Sequence, residues 1–356
     1  MRGTVMYRPS STVYRFMTTI ITSAPAKVIL FGEHGVNRQQ PALATAVDLQ
    51  LRCRVTVRAD GSYLLRAGRL HRHFGRAGLL AYKREIDELR QRQALDEIRQ
   101  QAREYFAPTK YVLAHVVEQF GGPGLEVEWE SALPSGGGLG SGAAASAALA
   151  LAAGVAAGVK LTAQQVAWLA WQGDVIAHGG VASGLDSGAS ALGGLIRYTL
   201  ADGPHLLPVQ LRLPLVVGNT GVRAKTAEVN TRVRTWLAEH PERMHLFEEM
   251  GLLEAQAEGA LAGHDFARFG HLMNLNQLLL EKIGVCHPIN EQLIEAALRA
   301  GALGAKISGS GGGGIIIALC APGEQDAVAA AIEAAGGRSL VVTAGCPGAQ
   351  VEQSDE

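Results

Sequence analysis

Residues 134–146 read P-S-G-G-G-L-G-S-G-A-A-A-S. The run before them, 125–130 (L-E-V-E-W-E), alternates strictly and predicts a strand; the alanine-rich run after them predicts a helix over 142–157. A glycine turn between strand and helix brings the backbone close to an anion, and a helix start adds unpaired N–H groups with partial positive charge. A triphosphate fits such a place. No Gly-Lys-Ser/Thr follows, so this is not a Walker A loop. Gly138, Gly140 and Ala143 match G-x-G-x-x-A, but the loop lies deep in the chain. About 20 residues on, where a dinucleotide fold places an acid, stand Lys160, Leu161 and Thr162. A phosphate loop is the leading reading, with a purely structural turn beside it.

Toward the N-terminus, 27–31 (K-V-I-L-F) predicts a buried strand running into the turn Gly32-Glu33-His34-Gly35, and 42–47 and 49–57 continue as β-type segments. Residues 83–106 carry no Gly or Pro and predict one solvated helix; 111–120 predicts another, ended by Gly121-Gly122-Pro123. Toward the C-terminus, Thr162 is placed to cap a helix reaching 177, and 195–200 returns to strand before Asp202-Gly203-Pro204 breaks the pattern. The second half reads as strand 213–218, helices within 225–283, helix 290–300, a glycine cluster, strand 315–319, helix 324–335 and strand 338–343. These runs give an α+β chain divided into an N-terminal extension (1–22), a first domain (23–205), a second domain (206–345) and a polar tail (346–356).

Three further segments could carry chemistry. Residues 306–314 read K-I-S-G-S-G-G-G-G, a stretch too loose to pack alone, and either close over a ligand or simply turn the chain. In 24–36 (A-P-A-K-V-I-L-F-G-E-H-G-V), Lys27 starts an apolar strand and Glu33-His34 sit just beyond it, either at a site or at the surface. In 172–194, Asp174 falls on a helix, while Asp186 falls in a small-residue loop. A carboxylate with so few local partners suits an incoming hydroxyl or metal, or else forms an Asx turn.

With 356 residues the chain is long enough for two domains, and 47% hydrophobic against 18% charged residues exclude a disordered protein. The 32 Lys and Arg nearly balance 33 Asp and Glu, so no basic excess points to nucleic acid. The cysteines, Cys53, Cys286, Cys320 and Cys346, are scattered without a C-x-x-C pair, and no apolar run has the ~18 residues of a membrane helix. Reduced thiols and a cytoplasmic location are the expectation. Residues 1–26 lack acids and include Arg2, Arg8 and Arg15, a composition either of a transit peptide or of an upstream extension ahead of Met17.

In this order and spacing the four segments resemble the galactokinase–homoserine kinase–mevalonate kinase–phosphomevalonate kinase (GHMP) family. P-A-K-V-I-L-F-G-E-H resembles its first motif, P-S-G-G-G-L-G-S-G-A-A its P-x-x-x-G-L-G-S-S-A-A phosphate loop, and K-I-S-G-S-G-G-G-G its C-terminal glycine motif. G-E-H-G-V with P-A-L-A-T-A-V, W-Q-G-D-V-I-A-H-G with S-G-L-D, and M-N-L-N-Q-L-L-L-E-K-I-G-V are most similar to mevalonate kinases within it. Mevalonate diphosphate decarboxylases usually lack the Glu-His pair.

The resemblance implies a two-domain fold, with a ribosomal-S5-like α/β domain followed by a ferredoxin-like α+β domain. It also implies an ATP-dependent kinase acting on mevalonate with Mg2+. Phosphomevalonate kinase, another GHMP kinase and a non-catalytic binding relative stand as the alternatives. Asp186 matches the catalytic aspartate, and Lys27 the lysine that favours its ionised form. Pro134, Gly136, Gly137, Gly138, Leu139, Gly140, Ser141, Gly142 and Ala143 match the ATP loop. Glu33, His34, Ser308, Gly309, Ser310 and Gly311 match the substrate side, and Asp174 with Ser141 the metal ligands. Family members are often dimers, so a homodimer stands as an expectation, with no nucleic acid or membrane partner. Three departures mark this chain: Gly142 replaces the second serine, Asp174 stands where mevalonate kinases usually have Glu, and one extra residue separates His178 from Asp186.

Overall fold

The apolar run at Lys27 is the second half of a longer strand, β1 (Thr19–Phe31), in the computed structural model, which describes residues 19–131, 133 and 138–354. β1 pairs antiparallel with β2 (Ala42–Arg58), with register shifts at Pro25/Ala26 and Ile29/Phe31. The chain continues through β3 (Tyr63–Ala67), β4 (Leu70–Phe74), α1 (Arg76–Gln91), α2 (Leu95–Gln101), α3 (Ala107–Phe120) and β5 (Gly124–Ser131). Next come α4 (Ser141–Ala156), α5 (Ala163–Ala177), α6 (Leu185–Leu192), β6 (Leu195–Thr199) and β7 (Gly203–Leu206). The second half holds β8 (Leu213–Asn219), α7 (Thr226–Glu239), α8 (His245–Ala262), α9 (Phe266–Lys282), α10 (Pro288–Arg299), β9 (Gly304–Ser308), β10 (Ile315–Leu319), α11 (Gln325–Ala334), β11 (Arg338–Ala344) and β12 (Gln350–Ser354).

Among the described residues, the twelve strands join in one sheet of order β4-β3-β5-β2-β11-β8-β10-β9; β1 lies between β2 and β12, and β6 between β2 and β7. Strands of the two halves meet through the pairing of Val47 with Ala344. The alanine-rich α4 lies against β1 and β2 and under α3 and α5, burying Ala144, Ala147, Ala148 and Ala150. Small side chains let it approach closely: a Cβ on Gly173 of α5 would sit 2.4 Å from Ser146 Oγ. Thr162 caps α5 in a full capping box with Gln165. A second core under β8 and β10 gathers Val216, Phe247, Leu280, Ile307 and Ile316.

Three boundaries differ from expectation. The helix expected over 83–106 is two, α1 and α2, because the backbone turns at Gln93, whose φ is 54°. The segment expected as a polar tail contains β12, which pairs with β1 from Ile20↔Ser354 to Ser23↔Gln350. The same pairing places Thr19–Thr22, expected in the N-terminal extension, inside β1. Alternation there is weak, and pairing rather than side-chain pattern defines both strands. Residues 1–18 lie outside the described residues.

Candidate active site

Lys27 follows the register shift at Pro25/Ala26, opposite Ala46. Its backbone N–H donates to Leu139 O at 2.9 Å, which ties β1 to the first glycine loop. Gly140 lies over the lysine stem with φ +74°; a Cβ there would sit 2.8 Å from Lys27 Cγ. The buried stem, 3% exposed, carries its ammonium to Asp186 Oδ1 at 3.0 Å. Asp186 is in the first turn of α6 rather than in an open loop, with Gly184 as N-cap in the left-handed region. Its side chain is 32% exposed, so the pair is buried on the lysine side and open on the aspartate side.

Asp174 lies near the end of α5, almost fully buried, with a hydrogen bond from Ser187. Burial first, then the negative charge of Asp186, pushes its carboxyl up to about 7. The Asp186 carboxylate is near enough to act on Asp174 and is itself paired with Lys27, and two such carboxylates would suit a divalent cation. Among the described residues no group of three or more His, Cys, Asp and Glu forms a metal cluster. A Mg2+ ion here would take few protein ligands and complete its shell with phosphate oxygens and water, as Mg2+ commonly does.

Ser141 and Gly142, both exposed, begin α4, and the buried Ala143 follows. Gly138 faces the second half: a Cβ on it would stand 3.5 Å from Ile315 Cγ1 and 3.9 Å from Ser308 O. Pro134, Gly136 and Gly137 lie outside the described residues.

Glu33 and His34 each meet a partner in the second half of the chain. The Glu33 carboxylate is an ion pair with Lys306 of β9, and both side chains are fully buried. Lys306 Nζ also donates to Ile307 O at 2.7 Å. Burial pushes the Glu33 carboxyl up and the Lys306 ammonium down, and their attraction opposes both shifts. The position of Glu33 makes it a strut between the first motif and β9, because its neighbour across the fold is a buried lysine. His34, with φ 61°, places Nε2 2.9 Å from Ser310 O, and burial lowers its pKa to about 4, leaving a neutral ring near pH 7.

The second glycine cluster is not the loose flap its composition suggests. Ser308 Oγ accepts the Ile29 N–H at 2.8 Å, and Ser310 Oγ lies 3.1 Å from Thr226 Oγ1. A Cβ on Gly311 would meet Val285 O at 2.2 Å, and Gly313 exchanges two hydrogen bonds with Asn290. Partners distant in sequence hold the segment, and composition alone cannot show them. Gly309 alone of this run has open space for a side chain.

Lys306 has no role in the sequence motifs, and its one signal there is a lysine standing directly before an isoleucine and the glycine cluster. Ser187, beside Asp174, had no signal of its own.

The model of the GHMP kinases N-terminal domain matches residues 108–194, and that of the GHMP kinases C-terminal region matches 257–338. A mevalonate kinase of Pyrococcus abyssi is 33% identical over 344 residues, covering 95% of this chain and 99% of its own length. One of Thermococcus sibiricus is 36% identical over 356 residues, covering 94% and 98%. The crystal structure of L. major mevalonate kinase in complex with R-mevalonate superposes with a TM-score of 0.72 at 28% identity, over 93% of this chain and 97% of that one. Matching domains at both ends, full-length relatives and a shared fold agree with the paired Lys27 and Asp186 beside the glycine loop: the chain belongs to the GHMP kinases and is most like the mevalonate kinases among them.

Proposed function

We propose that this protein transfers the γ-phosphoryl group of ATP to the C5 hydroxyl of (R)-mevalonate, giving 5-phosphomevalonate and ADP. The observation that carries this reading is the Lys27–Asp186 pair at 3.0 Å, half open, beside the start of α4. Phosphoryl transfer asks mostly for positioning and charge stabilisation. The first turn of α4, with Ser141 and the N–H groups from Gly142 and Ala143, faces the phosphates. Asp186 accepts the proton of the attacking hydroxyl, and the Lys27 ammonium, 3.0 Å away, holds that carboxylate in place. His34, donating from Nε2 to Ser310 O, presents Nδ1 as an acceptor for a substrate hydroxyl. Asp174 and Ser141 would hold Mg2+, which neutralises phosphate charge when bound.

Product analysis tests the assignment. Incubation with MgATP and (R)-mevalonate is expected to give one phosphomonoester, on the C5 oxygen by 31P–1H correlation. A phosphate on the C3 oxygen, or no new phosphomonoester, would overturn it.

A further inference from the structure

The segment Ala182-Ser183-Gly184 leads from α5 into α6, and Asp186 follows two residues later. It is held by side chains of two different elements. Trp171 of α5 donates its indole N–H to Ala182 O at 2.9 Å, and Tyr198 of β6 donates its hydroxyl to Ser183 O. Gly184 rests on the indole: with φ +87°, a Cβ there would stand 3.3 Å from Trp171 Cδ1. The indole is itself seated, because the Arg90 guanidinium lies over its ring at 5.8 Å. Arg90 in turn donates to the Tyr111 hydroxyl and to Gln172 Oε1, each at 2.9 Å. Tyr198 is likewise buried.

Trp171 and Asp174 are three residues apart on α5 and therefore share one helix face. The side chain that grips the backbone leading to Asp186 is thus fixed relative to Asp174. The connection from α5 to α6 has no regular secondary structure at Val181–Gly184, and two hydrogen bonds to successive carbonyls remove many of its conformations.

We propose that Trp171 and Tyr198 are positioning residues for phosphoryl transfer: they clamp 182–184 and so set where Asp186 stands relative to Lys27 and Asp174. The proposal rests on the roles given to those three residues above. The clamp acts on alignment rather than on ligand affinity, since among the described residues both side chains are bonded to 182–183 and neither to a glycine loop. Misplacing a catalytic group by about 1 Å can cost ~10²-fold in rate. Loss of one clamp bond should cost less, about tenfold in kcat.

Trp171→Phe and Tyr198→Phe each remove one donor and keep a ring. Both are expected to lower kcat about tenfold and to leave KM for ATP and for the acceptor within about twofold. Amide hydrogen exchange should quicken in peptides spanning 182–192 and stay unchanged in those of β1. Trp168→Phe, an indole on the same helix but 43% exposed, is the control and should keep wild-type kcat. Wild-type kcat in both clamp variants, a rise in KM without a fall in kcat, a kcat loss that only follows the folded fraction, or unchanged exchange over 182–192 would each overturn the proposal. The kinetic arm uses whichever hydroxyl acceptor the wild-type protein phosphorylates. A wild type inactive on mevalonate but active on another acceptor therefore ends the substrate assignment alone. A wild type inactive on all leaves the exchange arm to decide.

Discussion

A Cβ on Gly140 would stand 2.8 Å from Lys27 Cγ and 2.9 Å from Cε, in a left-handed backbone conformation that costs an L residue about 1–2 kcal/mol. Gly142, two positions on, has nothing within 4 Å of its would-be Cβ. Gly140→Ala should therefore displace the Lys27 stem, lowering kcat by about 10–100-fold and reducing thermal stability. Gly142→Ser, which restores the family's second serine, should leave Tm within about 2 °C and kcat no lower than wild type. Steady-state kinetics with thermal melts check the pair, and equal effects from both changes would contradict the steric reading. At this scale much of the site was legible. Lys27, Asp186 and Gly140 stood in recognisable motifs, and the fold brings them into contact. Glu33 was legible as a residue but not in its role, because its partner, Lys306, lies 273 positions away.

The Glu33–Lys306 pair joins the turn after β1 to β9 in the middle of the molecule, with neither side chain exposed to water. Removing one member of such a pair leaves a buried unpaired charge, at a cost of about 3–5 kcal/mol. Lys306→Met and Glu33→Gln singly should each lower the unfolding free energy by about that amount, and the double variant should recover much of it. Urea unfolding of the four proteins checks this, and strictly additive losses would contradict a coupled pair. Elements with a strong periodic pattern or clear breakers, such as α4, α5, β5 and β10, were legible within a residue or two of their ends. The hairpin β3–β4 was not, because L-H-R-H-F has little apolar alternation and is mostly exposed. Nor was β9, whose residues read as part of a glycine motif although all five are buried against β10 and α9.

At the scale of the whole molecule, α8 of the second half lies against β1 and β2 of the first, and two of its carboxylates meet one arginine of β6. Glu254 is fully buried with its carboxyl beside that of Glu258; Arg197 Nε lies 3.8 Å from Glu254 and 3.0 Å from Glu258. Burial first, then Glu258, pushes the Glu254 carboxyl up from 4.5 to about 8. A carboxyl raised on folding holds its proton better in the folded state. Its contribution is present below about pH 4.5 and is lost as pH climbs through about 8. Glu254→Gln, which cannot ionise, should flatten the decline in Tm between pH 6 and pH 9 relative to wild type. Parallel melting curves for the two proteins across that range would contradict it.

The decisive measurement is ADP release from MgATP with mevalonate, phosphomevalonate, galactose or homoserine as acceptor, for wild type beside Asp186→Asn. Turnover is expected on mevalonate alone, with a fall of about 10²–10⁴ in kcat for the variant, the loss that follows removal of a general base. Turnover on another acceptor would contradict the substrate, and a variant within roughly threefold of wild type would contradict the proton-accepting role of Asp186.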